Sequence, residues 1–148
     1  MNKDTSPIHK GRCLCGAVTY EVAGTPVVVA QCHCINCQRG SGTGHTTGAM
    51  YPVDRFRLAG EIAEFKFTSE HGNEVARLFC PKCGSPILGR NSGMIGFVTI
   101  TLGTLDEAAE FRPQVAIFAR SRMPWDVTDD TLPTFDVQPD WKPEKGGV

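Results

Sequence analysis

Apolar and polar residues alternate with a period of two along short stretches of this chain. In residues 17–22, Val18, Tyr20 and Val22 fall on one face, which predicts a half-buried strand. Residues 27–31 are more continuously apolar and predict a strand that is more deeply buried. The same signals predict extended segments at residues 46–51, 56–58, 64–68, 74–79, 87–88, 96–102 and 114–119.

Glycine and proline separate these stretches and leave little room for helices. Three glycines among residues 38–45 predict a flexible or tightly turned loop and not a helix. Residues 1–10 are expected to be an irregular lead-in, and residues 106–109 to give one helical turn. The chain is therefore predicted to be mainly β, with small sheets and no helix longer than about two turns.

Several large apolar residues are expected to fill the core. Phe65 and Phe67 share one face of a predicted strand and should point inward. Residues 121–125 are expected to pack against the domain, whereas three prolines make residues 126–148 an extended and irregular tail. The core assignments from sequence are Phe65, Phe67, Phe79 and Phe97.

Composition indicates one ordinary globular domain. The chain has 148 residues, of which 41% are hydrophobic and 21% are charged. A net charge of -1 disfavours nucleic acid or an anionic membrane as partner. The sequence has no run of about 18 apolar residues, and residues 1–10 lack the apolar core of a signal peptide. Free thiols are typical of a reducing compartment, so a cytoplasmic location is expected.

The cysteines change this picture, because all seven occur in three short clusters. An odd number excludes a complete set of intrachain disulfides, and spacings of one and two residues suit tetrahedral zinc. The clusters are Cys13 with Cys15, then Cys32, Cys34 and Cys37, and then Cys80 with Cys83.

Seven thiols divide naturally into four and three. The two remote pairs would form a closed structural zinc site, and the triplet Cys32, Cys34 and Cys37 would hold a second zinc with one position open. The alternative is a closed second site in which a histidine joins the triplet. His33 lies between two ligands and should point away, and His45 or His71 would have to fold back. The spacing favours the open site.

Three motifs carry a resemblance to a known family. They are Gly11-x-Cys13-x-Cys15-Gly16, Cys32-His33-Cys34-x-x-Cys37-x-Arg39 and Phe79-Cys80-x-x-Cys83-Gly84-Ser85-Pro86. Together they resemble the glutathione-dependent formaldehyde-activating enzyme family, which shares its domain with centromere protein V. The resemblance covers about residues 8–125 and implies a single domain with a mainly β fold, in which small antiparallel sheets lean together as a β-tent. It also implies the same division into a four-cysteine and a three-cysteine zinc site.

The expected activity is that of a carbon–sulfur lyase or synthase, with two zinc ions per chain. The resemblance implies that glutathione is a possible co-substrate and S-(hydroxymethyl)glutathione a possible product. A small thiol or thiol adduct would bind at the open zinc as the thiolate. Arg39 is a candidate for pairing with a substrate carboxylate, and His45 for moving a proton near the metal. The rival hypothesis is a non-catalytic binding or scaffold protein in which both zinc ions are structural.

Overall fold

The computed structural model describes residues 5–139, and in this range it contains ten strands and one α-helix. The helix is α1 (Ile35–Ser41). The strands are β1 (Ile8–Arg12), β2 (Thr19–Ala23), β3 (Val28–Cys32), β4 (Thr46–Pro52), β5 (Phe56–Ala59), β6 (Ala63–Thr68), β7 (Glu74–Phe79), β8 (Pro86–Asn91), β9 (Phe97–Thr101) and β10 (Val115–Ile117).

These strands form two sheets, so the mainly β prediction is confirmed. The smaller sheet is antiparallel and has the order β1-β2-β5. The larger sheet has seven strands in the order β10-β3-β4-β9-β8-β7-β6. It is mixed and not purely antiparallel, because β10 lies parallel to β3. The expectation of small antiparallel sheets was wrong for this larger sheet, since the long connection from β9 brings β10 back beside β3 in the same direction.

The alternation of apolar and polar residues along the strands places the hydrophobic core between the two sheets. Tyr51 of β4 and Ile100 of β9 are fully buried at the centre of the larger sheet. Val18, Tyr20 and Val22 are buried beside them, as their period of two predicts. Phe97 is also buried, but Phe65 is 61% exposed. The inward assignment of Phe65 was wrong because β6 is an edge strand of the sheet.

The helix α1 corrects the prediction of a loop after Cys37. Cys34 caps its N-terminus by accepting a hydrogen bond from the Cys37 N–H. Gly42 ends it in the left-handed conformation, at φ 74°, and its N–H bonds to the Gln38 carbonyl. The glycines therefore mark the end of a short helix and do not exclude one.

The N-terminal lead-in also contains structure that the sequence reasoning missed. Residues 8–12 form β1, which pairs with β2 although its alternation is poor. Pairing with β2, in which apolar and polar residues alternate clearly, keeps β1 in the sheet. The predicted helical turn at residues 106–109 occurs slightly later, as a 3₁₀ turn over Ala108–Glu110.

The segment after β10 stays attached to the domain as far as it is described. Ala116 N–H donates to the Pro133 carbonyl, and Phe135 N–H donates to the Ala116 carbonyl. Asp126 is buried, but Trp125 is 63% exposed, so the expectation that Trp125 packs was wrong. The part of the predicted tail from 140 to 148 lies outside the described residues.

Among residues 5–139, no helix has the length and apolar character needed to cross a membrane.

Candidate functional site

Four cysteines meet where the two sheets approach each other. Cys13 and Cys15 lie in the turn between β1 and β2, which belongs to the smaller sheet. Cys80 and Cys83 lie in the turn between β7 and β8 of the larger sheet. Their four sulfurs all lie within 4.8 Å of one another. We call this group the four-cysteine cluster, and it links the two sheets.

The spacing of these sulfurs fits a tetrahedral metal site. Cys15 Sγ lies 3.7 Å from Cys13 Sγ and 3.7 Å from Cys80 Sγ. With zinc–sulfur bonds of about 2.3 Å, the sulfurs of a tetrahedral site are about 3.8 Å apart. The four sulfur donors, the distances between them and the burial of Cys13 and Cys80 are therefore suitable for a metal ion.

Neutral groups donate to the sulfurs of the four-cysteine cluster, whereas the Arg12 guanidinium donates to the Cys13 and Leu14 carbonyls of the same turn. The Val18 N–H donates to Cys13 Sγ at 3.3 Å, and the Lys82 N–H donates to Cys80 Sγ at 3.4 Å. The Ser85 hydroxyl lies 3.2 Å from Cys83 Sγ and lowers the pKa of that thiol to about 5. Such hydrogen bonds to the anionic form favour the thiolates that a metal requires.

The remaining three cysteines form a second group, the triplet, within one strand–helix connection. Cys32 ends β3, Cys34 caps α1, and Cys37 lies in the first turn of α1. Their sulfurs lie within 4.8 Å of one another. No fourth histidine, cysteine or acidic residue from the described part of the chain joins this group. Three soft donors with no fourth protein ligand are suited to a metal that also binds an exchangeable ligand.

A positive charge lies beside the triplet. Arg77 of β7 donates a hydrogen bond from Nη2 to Cys37 Sγ at 3.4 Å. Hydrogen bonds from Cys32 and Cys34, followed by that from Thr46 and by the charge of Arg77, lower the pKa of Cys37. The pKa of Cys32 is raised, because the same hydrogen bonds with Cys34 and Cys37 favour its protonated form.

A third group contains His33, His45 and Asp126. The Asp126 carboxylate oxygen Oδ2 lies 2.7 Å from His45 Nδ1 and 3.2 Å from His33 Nδ1. Two nitrogen or oxygen ligands of one tetrahedral zinc would be about 3.4 Å apart. The 2.7 Å contact is instead that of a hydrogen bond between His45 and Asp126. This group therefore has the geometry of a hydrogen-bonded network and not of a third zinc site.

His33 is the most deeply buried member of this network, and only 1% of it is exposed. Although its Nδ1 lies near Asp126, neither ring nitrogen has a hydrogen bond of good geometry to any residue from 5 to 139. Burial and the neighbouring His45 lower the pKa of His33, so its neutral form is favoured.

Sequence reasoning missed three residues that organise the triplet. Gln38 donates from Nε2 to the His33 carbonyl and to the Ser121 carbonyl, both at 2.8 Å, which ties α1 to the segment after β10. Asp126 and Arg77 come from distant parts of the chain, and only the fold brings them close. Arg39, which was predicted to bind substrate, is exposed in the last turn of α1.

Cavity size does not identify the site. A surface cavity of about 310 Å³ lies over β6, β7 and β8, and one of about 420 Å³ lies against β1, β2 and β5. Neither of these two cavities is lined by a cysteine. The triplet is therefore a candidate site because of its chemistry.

Comparison with known proteins agrees with the sequence motifs. The sequence model described as "Glutathione-dependent formaldehyde-activating enzyme" matches residues 8–121. A solved structure of a protein from Rhodobacter sphaeroides is similar with a TM-score of 0.54 and 20% identity. The similarity covers 66% of this chain and 87% of that one, and it supports the fold. No curated protein sequence matches this chain.

Proposed function

This chain belongs to the glutathione-dependent formaldehyde-activating enzyme family, and we propose that it is a zinc-dependent carbon–sulfur lyase or synthase. Its substrate would be a small thiol or a thiol adduct, of the S-(hydroxymethyl)glutathione type. The observation that supports this proposal is the contrast in ligand number between the two cysteine groups. Four sulfurs meet in one group, and three sulfurs with no fourth protein ligand meet in the other, within residues 5–139.

The two groups would have different roles. Cys13, Cys15, Cys80 and Cys83 would hold a structural zinc, and Cys32, Cys34 and Cys37 would hold a second zinc. When bound there, zinc supplies an open coordination position that takes a thiol as its thiolate. A free thiol has a pKa of about 8.5 and is mostly protonated at neutral pH, so this activation would make it a nucleophile toward an electrophilic carbon.

The reaction balances without a redox step. In the synthetic direction, the sulfur forms a bond to the carbonyl carbon of an aldehyde such as formaldehyde. The carbonyl π electrons move to oxygen, which takes up the proton that the thiol has released. The lyase direction reverses these changes and breaks the carbon–sulfur bond.

His45 is the candidate for moving that proton. Its Nδ1 donates to Asp126 when the ring is neutral, so Nε2 is then the unprotonated nitrogen. Asp126 fixes this tautomer and the orientation of the ring. Arg39 is the candidate for pairing with a carboxylate of glutathione, because it follows Cys37 by two positions and is exposed.

Cobalt substitution tests whether a thiol enters the triplet. The cobalt-loaded protein should show a thiolate charge-transfer band that grows when glutathione is added. Binding should strengthen as the pH rises toward the pKa of the thiol, because a proton leaves on coordination. Arg39→Ala should weaken the binding of glutathione more than the binding of 2-mercaptoethanol, which has no carboxylate.

The control is Cys34→Ser, which should bind less cobalt at the triplet. A spectrum that stays unchanged with either thiol at millimolar concentrations, in protein shown to carry cobalt at the triplet, would contradict the proposed function. It would favour the hypothesis of a scaffold with two structural zinc ions.

A further inference from the structure

Arg77 makes a contact with the triplet that the proposed chemistry does not yet use. It lies on β7, three positions before Cys80, whereas the triplet is carried by β3 and α1. Its Nη2 nevertheless reaches Cys37 Sγ at 3.4 Å. The guanidinium therefore places a positive charge beside one sulfur of the triplet.

The Arg77 side chain is held in place on several sides. A Cβ atom on Gly40 of α1 would lie 3.0 Å from Arg77 Nη1, so the glycine leaves the space that the guanidinium fills. The Arg77 Cζ atom lies 5.7 Å from the centre of the Phe67 ring. A Cβ atom on Gly89 of β8 would lie 3.9 Å from Arg77 Cδ. These neighbours limit the space in which the guanidinium can move.

The charge of the triplet explains why such a residue is useful there. Three thiolates and one Zn²⁺ have a net charge of about -1, and a bound substrate thiolate makes it about -2. A second anion in a partly buried position is disfavoured unless a positive charge compensates it. Arg77 supplies one positive charge by a hydrogen bond to Cys37, a ligand that is itself buried.

We propose that Arg77 is a positioning residue that tunes the triplet for an anionic fourth ligand. By donating to Cys37 it withdraws electron density from that sulfur and offsets the charge of a bound thiolate. This inference rests on the proposed function, since it concerns the ligand that enters the open position. It predicts that Arg77 acts on the sulfur of the substrate and not on its carboxylates.

Two substitutions separate charge from geometry. Arg77→Met removes the charge and keeps much of the side-chain length, whereas Arg77→Lys keeps the charge and loses the planar fork. In the cobalt protein without thiol, Arg77→Met should move the thiolate charge-transfer band to longer wavelength, because a sulfur that has lost its hydrogen bond is a stronger electron donor. Glutathione affinity should fall by about tenfold or more, in the range found for partners that hydrogen-bond metal ligands.

The pattern across thiols distinguishes Arg77 from Arg39. Arg77→Met should lower the affinities for glutathione and for 2-mercaptoethanol by the same factor. Arg77→Lys should retain most of both affinities. Arg90→Met is the matched control, because Arg90 is an exposed arginine on β8 that pairs with Glu64. It should change neither the band nor the affinities.

The cobalt band and the thiol affinities of the variants test whether Arg77 tunes the triplet. An unchanged band and unchanged affinities in folded, cobalt-loaded Arg77→Met protein would overturn it, and so would a loss confined to glutathione. If Arg77→Met does not fold, Arg77→Lys decides: affinities within about threefold of the original support the charge role, and a larger loss overturns it. If the unsubstituted protein binds no thiol, the proposed function fails, and the band of the thiol-free protein still shows whether Arg77 tunes the triplet.

Discussion

The four-cysteine cluster and the triplet use the same ligand chemistry in opposite structural settings. The four-cysteine cluster joins turns from two different sheets, and Cys15 and Cys80 within it are 65 positions apart in sequence. The triplet lies within six consecutive residues at one strand–helix connection. A metal in the first setting would hold the fold together, whereas a metal in the second would be carried by a local structure that other contacts already stabilise.

The surroundings of the two groups differ in the same way. Backbone N–H groups and the Ser85 hydroxyl donate to the four-cysteine cluster. The triplet is contacted by the charged Arg77, and two members of the His33, His45 and Asp126 network, His33 and His45, lie close to it in sequence. Neutral donors suffice for a closed structural site, but a site with an open position must manage the charge of its ligand. Ligand number and surroundings together therefore distinguish a group suited to a structural metal from one suited to a reactive metal.

The largest expected effect comes from breaking the link between the sheets. Cys80→Ser removes a fully buried ligand of the four-cysteine cluster and should unfold or aggregate the protein. Zinc binding at a structural site is worth about 10–16 kcal/mol, which is comparable to or larger than the whole stability of a small domain. Circular dichroism and size-exclusion chromatography of the purified variant would show the loss.

The matched substitution in the triplet is Cys34→Ser. Serine is itself a good helix N-cap, so α1 should keep its N-terminus although one sulfur ligand is lost. We expect a folded protein that has close to one zinc per chain by mass spectrometry, compared with close to two in the unsubstituted protein. Equal destabilisation by the two substitutions would refute the division into structural and reactive groups.

A smaller effect is expected from the network beside the triplet. Asp126→Asn removes the carboxylate that accepts from His45, and it should lower the free energy of unfolding by about 1–3 kcal/mol. Gly44→Ala should have a similar effect, because a Cβ atom there would collide with the Asp126 side chain. Chemical denaturation measures both variants.

Thr43→Ala is the control for Gly44→Ala, because Thr43 is the exposed neighbouring residue. A stability of Asp126→Asn equal to that of the unsubstituted protein would show that the network does not fasten the C-terminal segment. Retained zinc in both variants would agree with a network that binds no metal of its own.

Much of the fold could be predicted because its signals are local. Alternation at Val18, Tyr20 and Val22 marks β2, and the apolar run after residue 26 marks β3, although Val29 alone is buried in β3 and its expected deeper burial was wrong. The cysteine spacings predicted groups able to bind metal, and the three motifs predicted the family that the sequence comparison confirms. These features depend on residues close in sequence, which is why one sequence is enough.

The remaining features depend on contacts between distant segments. Arg77 looked like an ordinary strand residue, and only the pairing of β7 within the larger sheet places it near Cys37. Asp126 fell in the predicted tail, yet it meets His45 across 81 positions. The edge position that exposes Phe65 also follows from strand order, which alternation does not determine. Helix α1 was hidden because its glycines were interpreted as loop residues.

The smallest expected effect comes from removing a neutral donor, the Ser85 hydroxyl, from the four-cysteine cluster. Ser85 accepts a hydrogen bond from the Leu14 N–H at 3.0 Å and lies 3.2 Å from Cys83 Sγ, so it connects the two turns of the four-cysteine cluster. Ser85→Ala should lower the free energy of unfolding by about 1 kcal/mol, because the Leu14 N–H is exposed and water replaces the lost partner.

Zinc retention by the four-cysteine cluster should weaken by about tenfold in Ser85→Ala in a competition with a chelator. The cobalt band of the triplet and its response to glutathione should stay unchanged, since the Ser85 hydroxyl contacts Leu14 and Cys83 of the four-cysteine cluster. Lys82→Ala is the matched control on the same turn, where the exposed side chain should alter stability by less than about 0.5 kcal/mol. A changed thiol response in Ser85→Ala would mean that the two groups are coupled and do not act independently.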